Sequence, residues 1–182
     1  PLHERSLMVL SFTCQAQALA GRADAAQDCE NELLARLPRR ETMPDATRVA
    51  DDNLRRLALA HLLLGQAGPT LALLGRMSPM PDTQRPDRDR LQAEAYRLLA
   101  LALQGQPEPE AAAVLATHLP GLPEGGFEQA DVRLALAAQA RTAGDVAASE
   151  AWLRDLPKPF LEGEMPVRFE VMARRVRRII AR

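Results

Sequence analysis

The chain has 182 residues, a formal net charge of −1, and a composition that is 47% apolar but only 3% aromatic. That length can bury a sizeable core, and the near-zero charge supplies no global attraction to nucleic acid or an anionic membrane. The apolar content is mostly Ala and Leu, strong helix formers, with β-branched residues sparse, which argues against a sheet-rich fold.

No apolar run reaches the roughly 18 to 20 residues needed to span a bilayer, and the N-terminus lacks the pattern of a secretory signal. The chain opens on Pro1 rather than Met, which points to a piece of a longer protein. Four glycines, Gly21, Gly65, Gly105 and Gly144, each lie between a pair of Ala/Leu-rich stretches and are spaced 44, 40 and 39 residues apart. Such a recurrence marks an array of helical hairpins.

In chain order, the first hairpin takes residues 5–37: a helix over 5–20, a turn at Gly21, and a return helix over 24–37 that Pro38 stops, with Asp24 as its cap. Cys14 and Cys29 lie one on each of these helices. They could face each other, as packed thiols, the favoured reading, or as a disulfide. Two cysteines fit a reducing compartment without establishing one, and a cytoplasmic setting is favoured over a periplasmic one. The second hairpin takes residues 46–77, a helix over 46–64 and a short one from Pro69, placed at the first helical position. Leu54, Leu57, Ala58, His61 and Leu64 give it one apolar stripe, so His61 reads as a packed core residue.

A proline-rich connector, Ser78 to Pro86, leads to the third hairpin, 87–118, in which Pro107 and Pro109 start the second helix. The fourth hairpin takes 127–155, with Gly144 and Asp145 as stop and cap and Val132, Leu136, Ala140 and Ala143 along one face. A single terminal helix over 166–182 follows Pro157 and Pro159, with Phe169, Met172, Val176, Ile179 and Ile180 on one stripe. The expectation is one all-α domain over 1–182, an α-α superhelix of four hairpins closed by a capping helix, with nine helices and no strands.

The first hairpin carries Gly21, then Ala26 five residues on and Pro38 twelve further, the spacing of turn glycine, packing alanine and terminating proline in the tetratricopeptide (TPR) family, which the chain resembles from about residue 5 to 157. Leu54, Leu57, Ala58, His61 and Gly65, and Leu136, Ala137, Ala140, Gly144 and Asp145, echo the family's first-helix pattern. The period is near 40 rather than about 34, and Gln17, Glu30, His61 and Ala140 stand where the family has large aromatics.

The resemblance implies a bacterial-type scaffold or regulatory module that binds another protein or peptide along the inner face of the first helices. The groove positions it implies are Met8, Ser11, Gln15 and Ala18, then Asp52, Arg55, Leu59 and Leu62, then Asp89, Gln92, Tyr96 and Leu99, then Asp131, Leu134, Ala138 and Arg141. Gln15, Asp52, Arg55, Gln92, Tyr96 and Arg141 are the favoured contacts, led by Tyr96 and Arg55, since Tyr and Arg dominate interface energetics.

No catalytic or metal-binding pattern emerges. His3, His61 and His118 are far apart, the cysteines lack a Cys-x-x-Cys spacing, and no glycine-rich phosphate loop is present. The chain is expected to be no enzyme, to need no cofactor or metal, and to have no nucleic-acid partner. Two alternatives remain: a small-ligand sensor of a transcriptional regulator, and an anion-binding module working through Arg174, Arg175, Arg177 and Arg178 of the last helix, for which residues 166–182 hold six arginines against one glutamate.

Overall fold

The computed structural model describes residues 2–37, 46–78, 87–156 and 166–179. Every regular element among them is helical. The chain divides into two compact units, Pro1–Gln84 and Arg85–Arg182. Their boundary falls in the proline-rich connector, Ser78 to Pro86, named from the sequence.

The first unit holds α1 (Leu2–Leu19), α2 (Ala23–Arg36), α3 (Ala46–Leu64) and α4 (Ala67–Leu74). Helix α1 packs on both α2 and α3, and α3 packs on α4, around the fully buried Leu7, Leu33, Leu57 and Leu62. The second unit holds α5 (Arg88–Leu103), α6 (Pro109–Ala116), a 3-10 turn (Leu119–Gly121), α7 (Phe127–Thr142), α8 (Val146–Arg154) and α9 (Pro166–Arg177). Here α7 is central, packing on α5, α6, α8 and α9. Ala95, Ala100, Ala135, Ala137 and Ala138 have no exposed surface, and side chains this small let helix backbones approach closely.

All four hairpins close in the same way. Gly21, Gly65, Gly105 and Gly144 have φ of 71°, 78°, 73° and 86°, a conformation that glycine adopts at no steric cost. The amide after each glycine then donates to the carbonyl five residues back, as Arg22 to Gln17, Gln66 to His61, Gln106 to Leu101 and Asp145 to Ala140, each at 2.9 to 3.0 Å. That bond satisfies a carbonyl that the helix end would otherwise leave without a partner.

Within each unit the first helices of its two hairpins lie side by side and run parallel. In the second unit Gln92 meets Asp131, Gln139 reaches the carbonyl of Leu98, and Thr142 reaches that of Ala102, at separations of 39, 41 and 40 residues. In the first unit Gln15 donates to the carbonyl of Arg56, 41 residues on. The glycine spacing in the sequence is thus the register of helix packing within each unit.

Several local expectations need correction. Helix α2 starts at Ala23 with Arg22 at the cap, so Asp24 lies in the first turn and makes no cap bond. Because α4 begins at Ala67, Pro69 is the third helical residue rather than the first. Helix α6 ends at Ala116, and the 3-10 turn that follows was not anticipated. Asp145 does cap α8, accepting from the Ala148 amide at 2.9 Å, and Asp87 caps α5 through Arg90 at 2.9 Å. Cys14 and Cys29 form a disulfide with a Cα–Cα distance of 5.4 Å, which overturns the reading as packed thiols. The tight α1–α2 turn brings the two positions level on facing helices, within the span a disulfide bridges. Ile180 and the remainder of the predicted helix to 182 lie outside the described residues, as do Pro38, Pro157 and Pro159.

Candidate functional site

Three of the groove positions expected on α5 and α7, Gln92, Tyr96 and Asp131, meet at one buried carboxylate. Asp131, one turn into α7, is 4% exposed, and its Oδ2 accepts from the Gln92 amide at 2.7 Å and from the Tyr96 hydroxyl at 2.9 Å. A third donor comes from α9: Arg168 directs its guanidinium to the same oxygen and lies 3.4 Å from the Tyr96 hydroxyl, to which it donates. Gln92 and Asp131 are 39 residues apart on parallel neighbours, so the repeat register itself brings them together.

A buried ion pair needs further stabilisation, because removing two charges from water is costly. Here aromatic faces supply some of it. The Arg168 guanidinium sits 5.6 Å from the Phe127 ring centroid and 4.6 Å from that of Phe169, and the two rings stack at 6.1 Å. Cations over such faces are attracted by the ring quadrupole. Burial acts against the charge of Arg168, but the carboxylate of Asp131 and the hydroxyl of Tyr96 outweigh it, so its pKa lies above the ordinary arginine value. The arrangement is suited to holding a guanidinium, since two α5 side chains fix the Asp131 carboxylate and the Phe127 ring of α7 flanks the cation.

Helix α9 is seated on this face by more than Arg168. Phe169, Met172, Ala173 and Val176 are buried along one stripe, while Val167, Glu170, Arg174, Arg177 and Arg178 face outward. At the far end Arg141 donates to the carbonyls of Arg177 and Ile179, at 3.1 and 3.3 Å. Helices α7 and α9 are therefore parallel, with their N-terminal ends joined by the Asp131 cluster and their C-terminal ends by Arg141. Of the favoured contacts, Gln92, Tyr96 and Arg141 are all engaged by the chain itself.

In the first unit, Gln15 is half-buried and tied to Arg56, and Asp52 is half-buried between Arg55 and Arg56, the Arg56 contact being 2.8 Å. Arg55 is buried, not exposed. Helix α1 also presents an apolar patch that sequence reasoning caught only in Met8: Met8, Val9 and Phe12 are 40%, 62% and 49% exposed, with the Arg56 guanidinium 5.1 Å over the Phe12 ring.

A second buried pair was not anticipated. His61 Nε2 lies 2.7 Å from Glu30 Oε2, and its Nδ1 lies 2.6 Å from Gln66 Oε1. Both ring nitrogens face acceptor oxygens, the arrangement of a doubly donating imidazolium. Burial lowers the His61 pKa, but the bonds to Glu30 and Gln66 more than offset this and hold it above 6.5. Glu30 and His61 are two of the positions where the sequence departs from the family's aromatics, and that shared oddity was the available signal.

The four arginines of the anion-binding alternative differ among themselves. Arg174 pairs with Glu170 at 3.1 Å and Arg177 with Glu150 at 3.3 Å. Arg175 is half-buried, and its pKa is lowered by burial and by Arg178, which is exposed. Among the described residues no group of three or more His, Cys, Asp or Glu side chains could hold a metal, and no helix is long and apolar enough to cross a membrane. No family model, curated protein or solved structure matches the chain.

Proposed function

We propose that the chain is a non-catalytic protein-interaction module, a TPR-like array of helical hairpins that receives a partner helix or peptide on the face formed by its first helices. The observation that carries this reading is the seating of α9 on α7, with Arg168 held by Asp131 and by Tyr96 of α5, and the Asp131 carboxylate held in turn by Gln92. A face built from first helices is already folded around a helix, at positions that the groove spacing picks out. The exposed Met8, Val9 and Phe12 of α1 supply apolar area of the kind that interfaces bury. Binding through the arginines of α9 is the weaker reading, because Glu170 and Glu150 offset two of the four charges.

Site-specific photo-crosslinking tests the proposal. A photoreactive residue at Gln15 or Asp52 is expected to capture the same partner, whereas one at the exposed Glu32 or Glu110 captures none. Capture at Glu32 and Glu110 with nothing at Gln15 and Asp52 would contradict it.

A further inference from the structure

We infer that the Gln92–Tyr96–Asp131 cluster is a recognition site for an arginine-bearing amphipathic helix, and that α9 is its tethered occupant, placed where a partner's helix of the same chemistry docks. The inference rests on the interaction-module reading and specifies the partner for one face of it. The ligand's chemistry is read from the occupant: an arginine whose guanidinium enters the carboxylate, an aromatic directly after it to stack, and apolar residues four and eight positions after the arginine, as in Arg168, Phe169, Met172 and Val176. Those apolar residues recur on one face of a helix, as the seated stripe requires.

Three features set this contact apart from ordinary core packing. The carboxylate is oriented from α5 alone, since Gln92 and Tyr96 both point their donors at Asp131 from the neighbouring helix. Its remaining requirement is a cation, because a buried carboxylate is stable only when paired. The Arg168 guanidinium leaves its buried Nε without a hydrogen-bond partner, so the occupant fills the site without using every donor. The contact is thus specific in charge and shape, and it is supplied by a helix that enters no hairpin among the described residues.

A tethered segment competes at an effective concentration of about a millimolar, so an added helix binds visibly only once the tether's own hold is weakened. The probe is a fluorescein-labelled peptide of residues 166–182, read by anisotropy against the full chain and against its R168A/F169A variant. The expected result is micromolar binding to the variant, at least tenfold tighter than to the unaltered chain, and at least tenfold weaker when the peptide carries Arg168→Ala or the variant chain also carries Asp131→Asn. Equal binding to both chains, or equal binding of the Arg168→Ala peptide, would overturn the inference.

If the variant chain does not fold, hydrogen exchange of the unaltered chain gives the answer. Excess unlabelled peptide then speeds exchange within residues 166–177 and leaves α5 and α7 protected, whereas no change at millimolar peptide would overturn the inference. Loss of this result with crosslinking at Gln15 and Asp52 intact removes the helix-receptor assignment alone. Loss of the crosslinking removes the broader function.

Discussion

At the scale of single residues, the second unit depends on one carboxylate. Asp131 collects three donors from two other helices, so no substitution there is local. Removing one partner of a buried ion pair leaves the other charge uncompensated and typically costs about 3–5 kcal/mol. Arg168→Ala and Asp131→Ala should each destabilise the chain by that order in urea titrations, and R168A/D131A should be less destabilised than the sum of the two. Additive losses would mean that the pair is not coupled. The His61–Glu30 pair makes a pH-dependent contribution of definite sign. A histidine whose folded pKa lies above its unfolded value stabilises fully below about 6.5 and loses that contribution as pH rises through the folded value. The melting temperature gap between the unaltered chain and Glu30→Gln should therefore shrink from pH 6 to pH 9. A gap that grows would contradict the assignment.

At the scale of elements, the hairpin turns were legible and the long-range pairings were not. A glycine before a polar residue at the end of an Ala/Leu run identifies a left-handed stop without reference to anything distant, and all four such turns form. Asp145 and Asp24 look alike in sequence, each following a turn glycine closely, yet only Asp145 caps, because α2 starts one residue before Asp24 while α8 starts just after Asp145. Gln92, Tyr96 and Asp131, which the groove spacing names together, meet at one buried carboxylate. That spacing did not reveal Arg168, which lies in a helix outside the glycine pattern, so that no periodicity links residue 168 to residue 131.

The disulfide is a further element-scale feature that spacing alone left open, since facing cysteines on a hairpin are compatible with thiols or a bond. Closing a loop of 15 residues stabilises a fold by about 3 kcal/mol in the chain-entropy description. Reductant should therefore lower the urea midpoint of the unaltered chain and leave C14S/C29S unaffected. Two reactive thiols in the denatured, unreduced protein would contradict the bond. Disulfides persist chiefly in oxidising compartments, so its confirmation would favour the periplasmic over the cytoplasmic setting.

At the scale of the whole molecule, two units each stack their first helices in parallel with a register near 40 residues, and each puts a different stretch of the repeat to use. The first leaves Met8, Val9 and Phe12 open on α1, whereas the second has its face covered by α9. In the proposed function this face works by gripping a helix through Asp131. The most direct test is residue-resolved hydrogen exchange on the full chain with and without Asp131→Asn. The predicted result is exchange at least tenfold faster across residues 166–177, a larger change than in α5, α7 or the first unit. An α9 that keeps its full protection, or a loss spread evenly over both units, would contradict it.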